Sequence, residues 1–123
     1  MKRRLPGGFE VDDVFCAHGD RINPVPVNLE EIDVDAVRDF GRQIGFARAV
    51  SDGASVTYLP DVYVLPEYRG RGLGVELVRE MVENGPYSDK RWILHTADAH
   101  RLYEKFGFGP PSERIMERPR RTA

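Results

Sequence analysis

A glycine-rich stretch in the middle of the chain constrains the fold more than any other sequence feature. Residues 68–74 read YRGRGLG, with three glycines and two arginines in seven positions. The apolar stretch DVYVLP precedes these residues, and the helical pattern VELVREMVENG follows them. Glycine permits positive φ and a close approach of the backbone to a ligand. The sequence therefore predicts a tight, positively charged connection from a strand to the N-terminus of a helix.

This connection differs from the two best-known phosphate-binding loops. A P-loop needs lysine and serine or threonine after its last glycine, but Val75 and Glu76 follow Gly74. The spacing of Gly70, Gly72 and Gly74 also misses the dinucleotide-binding pattern. The shared physics predicts a phosphate or pyrophosphate that does not itself react, held by converging backbone N–H groups. The alternative is a tight turn with solvated arginines.

Hydrophobic spacing divides the rest of the chain into short elements. We interpret residues 29–40 as one amphipathic helix, capped by Asp33 or Asp35, and residues 1–28 as largely irregular. Residues 43–50 and 55–65 are predicted to form a hairpin through Ser51-Asp52-Gly53. The remaining predictions are a strand near 9–15, helices over 73–83 and 99–106, and strands over 91–96 and 114–117. This order indicates an α/β domain with a mixed sheet.

Composition limits the classes of function. A chain of 123 residues fits one domain, and a net charge of −2 argues against nucleic acid as a partner. The sequence lacks the run of about 20 apolar residues that a membrane span requires. Cys16 is the only cysteine, so an internal disulfide is impossible, and we expect a cytoplasmic protein. Three histidines without metal-ligand spacing lead us to expect no metal.

Two stretches together carry a family resemblance. Residues 69–74, RGRGLG, match the R/Q-x-x-G-x-G motif of the GNAT superfamily of acyl-CoA-dependent N-acyltransferases. Residues 99–108, AHRLYEKFGF, resemble the second motif of the superfamily, A-x-x-L-Y-E-K-x-G-F. The stretches IGFARAVSDG, YLPDVYVLP and HTADAH are similar to one bacterial branch. The resemblance covers residues 42–119, about two thirds of the chain.

The resemblance implies acetyl-CoA as cosubstrate and a site for each of its parts. The backbone around the glycine motif would hold the pyrophosphate, through Arg69, Gly70, Arg71, Gly72, Leu73 and Gly74. The pantetheine arm would pair with the preceding strand near Val62 and Val64. Pro60 supports this arrangement, because proline marks a bulge or an edge in a strand. A freed N–H near Asp61 or Val62 would polarise the thioester carbonyl.

The resemblance also implies catalytic groups. Tyr103 is the expected general acid, because a phenol with a pKa near 10 is protonated at neutral pH and can donate to the leaving thiolate. A general base must take a proton from the attacking amine. Asp61 and Asp98 follow predicted strands, and His95 and His100 lie near them in the sequence, so the identity of the base stays open.

Two functions follow from the resemblance. The favoured one is an N-acetyltransferase that moves an acetyl group from acetyl-CoA to an amine of a small molecule, amino acid or peptide. The alternative is a CoA-binding sensor or interaction domain without turnover. The sequence does not indicate which amine is the acceptor.

The N-terminal part departs from the family pattern. GNAT domains begin with a strand, two helices and another strand, but only 42 residues precede Gln43. We therefore expect an irregular segment over 1–28, a GNAT-like domain over 29–119 and a tail over 120–123, with a reduced N-terminal helical region. We therefore expect a helix and a strand to be lacking, which would leave part of the sheet uncovered. We expect self-association as a homodimer, or weak and unselective acetylation.

Overall fold

The computed structural model describes residues 3–17 and 31–121. Its strands are β1 (Arg3–Arg4), β2 (Phe9–Ala17), β3 (Glu31–Asp39), β4 (Arg42–Ser51), β5 (Val56–Val64) and β6 (Arg91–Leu94). Its α-helices are α1 (Leu73–Val82) and α2 (His100–Glu104), and a 3-10 turn spans Pro66–Tyr68. The strands follow one another in chain order across a single sheet, antiparallel except for the parallel pair β5–β6. The predicted α/β class with a mixed sheet is confirmed.

Helix α1 covers one face of this sheet. The helix contacts β2, β3, β4 and β5. Its buried apolar side chains are those that the helical spacing predicts, namely Leu73, Leu77, Val78, Met81 and Val82. Burial of each contributes about 1.5–3 kcal/mol before conformational entropy is subtracted. The helix therefore docks firmly and fixes the position of the glycine loop that precedes it.

The predicted helix over residues 29–40 is wrong, because residues 31–39 form strand β3. Asp33 and Asp35 share the buried face of β3 with Val37, and the two carboxylates are 1% and 0% exposed. Two acidic residues on a buried face hide the two-residue alternation of a strand. Neither aspartate is therefore a helix N-cap. Their burial was not predictable from a single sequence, because charged side chains seldom lie inside a protein.

The first part of the chain is more ordered than the sequence predicted. The strand expected near residues 9–15 is confirmed as β2, which pairs with β3, and β1 pairs with β2. Arg3 reaches from β1 to α1, where its Nε donates to Glu80 Oε2 at 2.7 Å and its Nη1 to Glu76 Oε2 at 2.9 Å. The interpretation of 1–28 as largely irregular is therefore wrong for its described residues, 3–17.

The pairing of β5 with β6 ends just before Pro60, where β5 also has a bulge against β4. The β4–β5 register shifts by one residue between the pairs Arg48↔Asp61 and Val50↔Tyr58, so β5 carries an extra residue there. The parallel ladder between β5 and β6 runs only from Val56↔Arg91 to Leu59↔Leu94. The bulge predicted from Pro60 is confirmed. Beyond Leu59, β5 has no partner strand on this side among the described residues, and we call this gap the split in the sheet.

Two predictions about the ends of the domain need correction. Residues 114–117 form no strand, and Met116 is 94% exposed. The strand expected to be lacking from the N-terminal part is present, because both β2 and β3 precede β4. Within residues 3–17 and 31–72, the structure contains no α-helix, which agrees with a reduced helical region. Self-association concerns a second copy and stays a prediction.

Candidate functional site

The glycine loop adopts the backbone that its sequence predicts. Gly70 and Gly72 have φ values of 82° and 77°, in the left-handed region that side chains disfavour. A Cβ atom added to either glycine would meet nothing within 4 Å. The space outside the loop is therefore open, and positive φ is what makes glycine necessary at both positions.

The loop and the first turn of α1 present a row of unused donors. Across residues 70–75, no backbone N–H donates a hydrogen bond to any residue that the structure describes. Gly72 occupies the N-cap position of α1 without a side-chain cap. Free N–H groups and the positive end of the helix dipole attract an anion. The loop thus fits a phosphate or pyrophosphate group.

An open cavity of about 280 Å³ lies beside this loop. Val64 at the end of β5, Tyr68, the glycines and Leu102 of α2 line it. Leu102 also lies 3.7 Å from the Cβ position of Gly74, so α2 packs against the first turn of α1. A larger cavity of about 420 Å³, lined in part by Trp92, Phe106 and Ile115, contains none of the predicted site residues. The smaller cavity is the relevant one, because the free N–H groups border it.

The two loop arginines fold back onto aromatic rings. Arg69 lies over the Tyr63 ring at 5.3 Å and donates from Nε to the Val64 carbonyl at 2.9 Å. Arg71 lies over the Tyr68 ring at 5.4 Å. The Val64 carbonyl therefore already accepts one hydrogen bond, and its second lone pair is available to a ligand. Both guanidinium groups stay at the rim, where they add positive charge to the loop.

Tyr68 ties the loop to the hairpin between β3 and β4. Its hydroxyl donates to Asp39 Oδ2 at 2.9 Å, and this hydrogen bond raises the pKa of Tyr68. Its ring packs edge-on against Phe9 of β2, with a centroid distance of 6.2 Å. The Tyr68 hydroxyl stabilises the Asp39 carboxylate by donating this hydrogen bond, so the hydroxyl stays protonated. These contacts fix the start of the loop on the sheet.

Tyr103 lies on α2, partly buried against the apolar core. Its ring packs edge-on against Phe108, with the centroids 5.8 Å apart. Burial raises the pKa of Tyr103. The phenol is therefore neutral across the physiological pH range and can act as a proton donor, as the sequence predicts for a general acid.

Asp61 follows the bulge at Pro60 and forms an ion pair with Arg48. Arg48 Nε lies 2.8 Å from Asp61 Oδ2, and both side chains are about half exposed. Val62 instead packs towards the core on the α1 side. Beyond the bulge, the residues of β5 pair with β4 and have no partner strand on the β6 side among the described residues.

Two side chains that contact His95, those of Tyr58 and Glu117, were not predicted from the sequence. Tyr58 Oη lies 3.0 Å from His95 Nδ1, and His95 Nε2 contacts Glu117 Oε2. Asp98 and His100, the other histidine and aspartate considered as bases, are exposed and have no side-chain hydrogen bond within residues 3–17 and 31–121. Parallel pairing of β5 and β6 could have suggested the Tyr58 contact. Nothing in the sequence indicates Glu117, which lies in an irregular segment.

In residues 3–17 and 31–121, no cluster of three or more histidine, cysteine, aspartate or glutamate side chains could hold a metal ion. In the same part of the chain, no helix is long and apolar enough to span a membrane.

Comparison with known proteins gives consistent matches. The family model described as "Acetyltransferase (GNAT) domain" matches residues 32–110. A Xanthomonas campestris crystal structure, described as belonging to the GNAT family, is 42% identical with a TM-score of 0.63. That match covers 70% of this chain and 63% of the other. A Deinococcus radiodurans structure, at 22% identity and a TM-score of 0.62, shares the fold over 96% of this chain and 94% of its own.

A curated relative extends this result. GCN5-related N-acetyltransferase 2, chloroplastic, of Arabidopsis thaliana is 40% identical over 74 residues, 58% of this chain and 29% of its own length. The chain spans about a third of the length of the curated relatives it matches. Solved structures of the fold include complexes with acetyl-CoA and with a CoA-linked bisubstrate analogue.

Proposed function

Because the chain belongs to the GNAT family of acetyltransferases, we propose that it transfers an acetyl group from acetyl-CoA to an amine acceptor. The free backbone N–H groups of residues 70–75, beside an open cavity, are the observation that carries this proposal. The acceptor is an amine of a small molecule, an amino acid or a peptide. We propose that the acetyl-CoA-binding domain covers residues 29–119. Strands β1 and β2 precede this range and extend its sheet.

The residues present fit acetyl-CoA. The glycine loop would hold its pyrophosphate through the backbone of Arg69, Gly70, Arg71, Gly72, Leu73 and Gly74. The guanidinium groups of Arg69 and Arg71 add positive charge at the rim. The cosubstrate supplies an acetyl group that is activated as a thioester.

Strand β5 would hold the pantetheine arm. From Asp61 to Val64, this strand has no partner on its β6 side among the described residues. Its backbone can therefore accept an extended ligand as an additional strand, at Val62 and Val64. A backbone N–H at Asp61 or Val62 would donate to the thioester carbonyl and stabilise the charge that develops there.

Tyr103 would supply the proton for the departing thiolate. Its raised pKa keeps the phenol protonated, and Tyr103 follows Leu102, a residue of α2 that lines the cavity. A proton donor at this point prevents the accumulation of an unstable thiolate.

Release of free CoA thiol, measured with a panel of small amines, amino acids and peptides, tests this function. An acetyltransferase releases thiol only when an acceptor is present. A CoA-binding domain without turnover would be stabilised by acetyl-CoA and would release none. An absence of both thiol release and thermal stabilisation by millimolar acetyl-CoA would refute acetyl-CoA as the cosubstrate.

A further inference from the structure

Three polar side chains form a chain of contacts on the sheet face opposite α1. Tyr58 Oη lies 3.0 Å from His95 Nδ1, and His95 Nε2 contacts Glu117 Oε2. The rings of Tyr58 and His95 meet edge-on, with centroids 5.7 Å apart and an interplanar angle of 71°. Tyr58 alternates with the buried residues Thr57 and Leu59, which places it on the outer face. We call these three side chains the relay.

The contacts determine where the protons lie. An ionised carboxylate only accepts hydrogen bonds, so His95 Nε2 must carry a hydrogen and donate it to Glu117. In a neutral imidazole, Nδ1 then has the lone pair and accepts from the Tyr58 hydroxyl. Tyr58 thus donates to His95, and His95 donates to Glu117. This order is the one in which a histidine, oriented by a carboxylate, withdraws a proton from a hydroxyl.

The relay lies where the sheet opens. The β5–β6 ladder ends at Leu59↔Leu94, and His95 is the next residue after β6. The Tyr58 hydroxyl points to His95 and therefore to this end of the ladder. The unpaired stretch of β5 that would hold the thioester begins just beyond it. Tyr103 packs towards the core on the α1 side, so the two tyrosines lie on opposite faces of the split.

We propose that Tyr58 takes the proton of the attacking amine and passes its own proton to His95. This inference rests on the proposed acetyl transfer. The amine nitrogen bonds to the acetyl carbon, the carbon–sulfur bond breaks, and the sulfur takes a proton from Tyr103. The amine proton moves to Tyr58 Oη as the Tyr58 proton moves to His95 Nδ1. Water then returns one proton from His95 to Tyr103, which balances the reaction.

His95 and Glu117 act through Tyr58 and are positioning residues. The Glu117 carboxylate stabilises the imidazolium that forms when His95 receives the proton. The charged groups on this face include the ion pair of Arg48 and Asp61, 2.8 Å apart, and Arg91, which lies four residues before His95. Glu117 is the carboxylate that contacts His95.

Kinetics of three variants test the relay. Tyr58→Phe keeps the ring and removes only the hydroxyl, so kcat should fall about a hundredfold with unchanged stabilisation by acetyl-CoA. Glu117→Gln should lower kcat about tenfold with the KM of the amine and the stabilisation by acetyl-CoA unchanged, because it removes the carboxylate that orients His95 and leaves the binding sites intact. Glu113→Gln, in the same irregular segment, is the control and should match the parent protein.

A measurement that needs no turnover accompanies the kinetics. Nitrogen NMR of the imidazole should report hydrogen on His95 Nε2, assigned by loss of the signal in His95→Gln. Hydrogen on Nδ1 at neutral pH would overturn the relay, and so would parental kcat in Tyr58→Phe. A parent protein with the Nε2–H tautomer that acetylates no amine would instead refute the proposed acetyl transfer, and with it the role of the relay.

Discussion

The two sides of the split in the sheet are built in different ways. On the α1 side, the glycine loop offers backbone N–H groups, and five apolar side chains hold the helix that follows. On the outer side, the polar groups are side chains that contact one another across β5, β6 and an irregular segment. Binding by backbone depends on a short local sequence, whereas binding by side chains depends on distant residues meeting. This difference explains why the glycine loop was predicted from the sequence, whereas the contacts among Tyr58, His95 and Glu117 were not.

The largest expected effect is the loss of cosubstrate binding when the loop is filled. Acetyl-CoA at a hundredfold excess over its Kd should stabilise the parent protein by about 2.7 kcal/mol. Gly72→Glu should abolish this stabilisation, because a carboxylate would occupy the space of the phosphate. Gly41→Glu is the control: its φ of 84° and its open surroundings match those of Gly72, but it lies in the β3–β4 turn. Equal stabilisation in Gly72→Glu and Gly41→Glu would remove the loop from the site.

Loss of the Tyr103 hydroxyl should affect turnover but not binding. Tyr103→Phe should lower kcat by roughly tenfold to a thousandfold, with the Kd of acetyl-CoA close to parental. Because the pKa of Tyr103 is raised, parental activity that depends on this proton should hold up to about pH 10 before declining. Steady-state kinetics between pH 7 and 10.5 provide the measurement. Parental kcat in the variant would make Tyr103 a packing residue only.

Removal of the ion pair between β1 and α1 should lower the stability of the protein without changing its catalytic groups. Arg3→Ala should lower the free energy of unfolding by about 1–3 kcal/mol, because Glu80 is 8% exposed and would lose its charged partner. The neighbouring exposed Arg4, changed to Ala, is the control and should stay within about 0.5 kcal/mol of the parent protein. Urea denaturation measures both. Equal losses in the two variants would show that α1 does not depend on this ion pair.

The smallest effect is expected in the β4–β5 turn. Asp52 accepts hydrogen bonds from Ser55, Ala54 and Val56, and these hold its pKa well below the ordinary value. Its stabilising effect is present above the unfolded pKa of about 3.9 and is lost as the pH falls towards the folded value. Asp52→Asn should therefore lower Tm slightly at pH 7, and the difference should shrink below about pH 4. Asp89→Asn, at an exposed site, is the control, and a difference that grows at low pH would contradict this assignment.

The same difference between local signals and contacts of distant residues limits what could be predicted from the sequence. The glycine motif, the helical spacing of α1 and Pro60 each give a local signal, and each predicted its element. Strand β3 was missed because Asp33 and Asp35 lie on its buried face, where the apolar alternation should have appeared. The His95–Glu117 contact joins residues 22 positions apart, one of them in a segment without regular structure. Contacts of this kind depend on the tertiary fold, so the roles of the site residues stay proposals that the variants above test.

The bulge at Pro60 has a consequence for the behaviour of the protein in solution. A strand edge without a partner is a template for another chain, and within residues 3–17 and 31–121 no strand pairs with β5 after Leu59 on its β6 side. This edge is short, begins with Pro60, which cannot donate a hydrogen bond, and carries Asp61, which pairs with Arg48 of β4. Its amide hydrogens should exchange with solvent faster than those of the paired half of β5 until a ligand covers them. Pro60 thus interrupts the pairing of β5 with β6 and at the same time disfavours pairing of this edge with another chain.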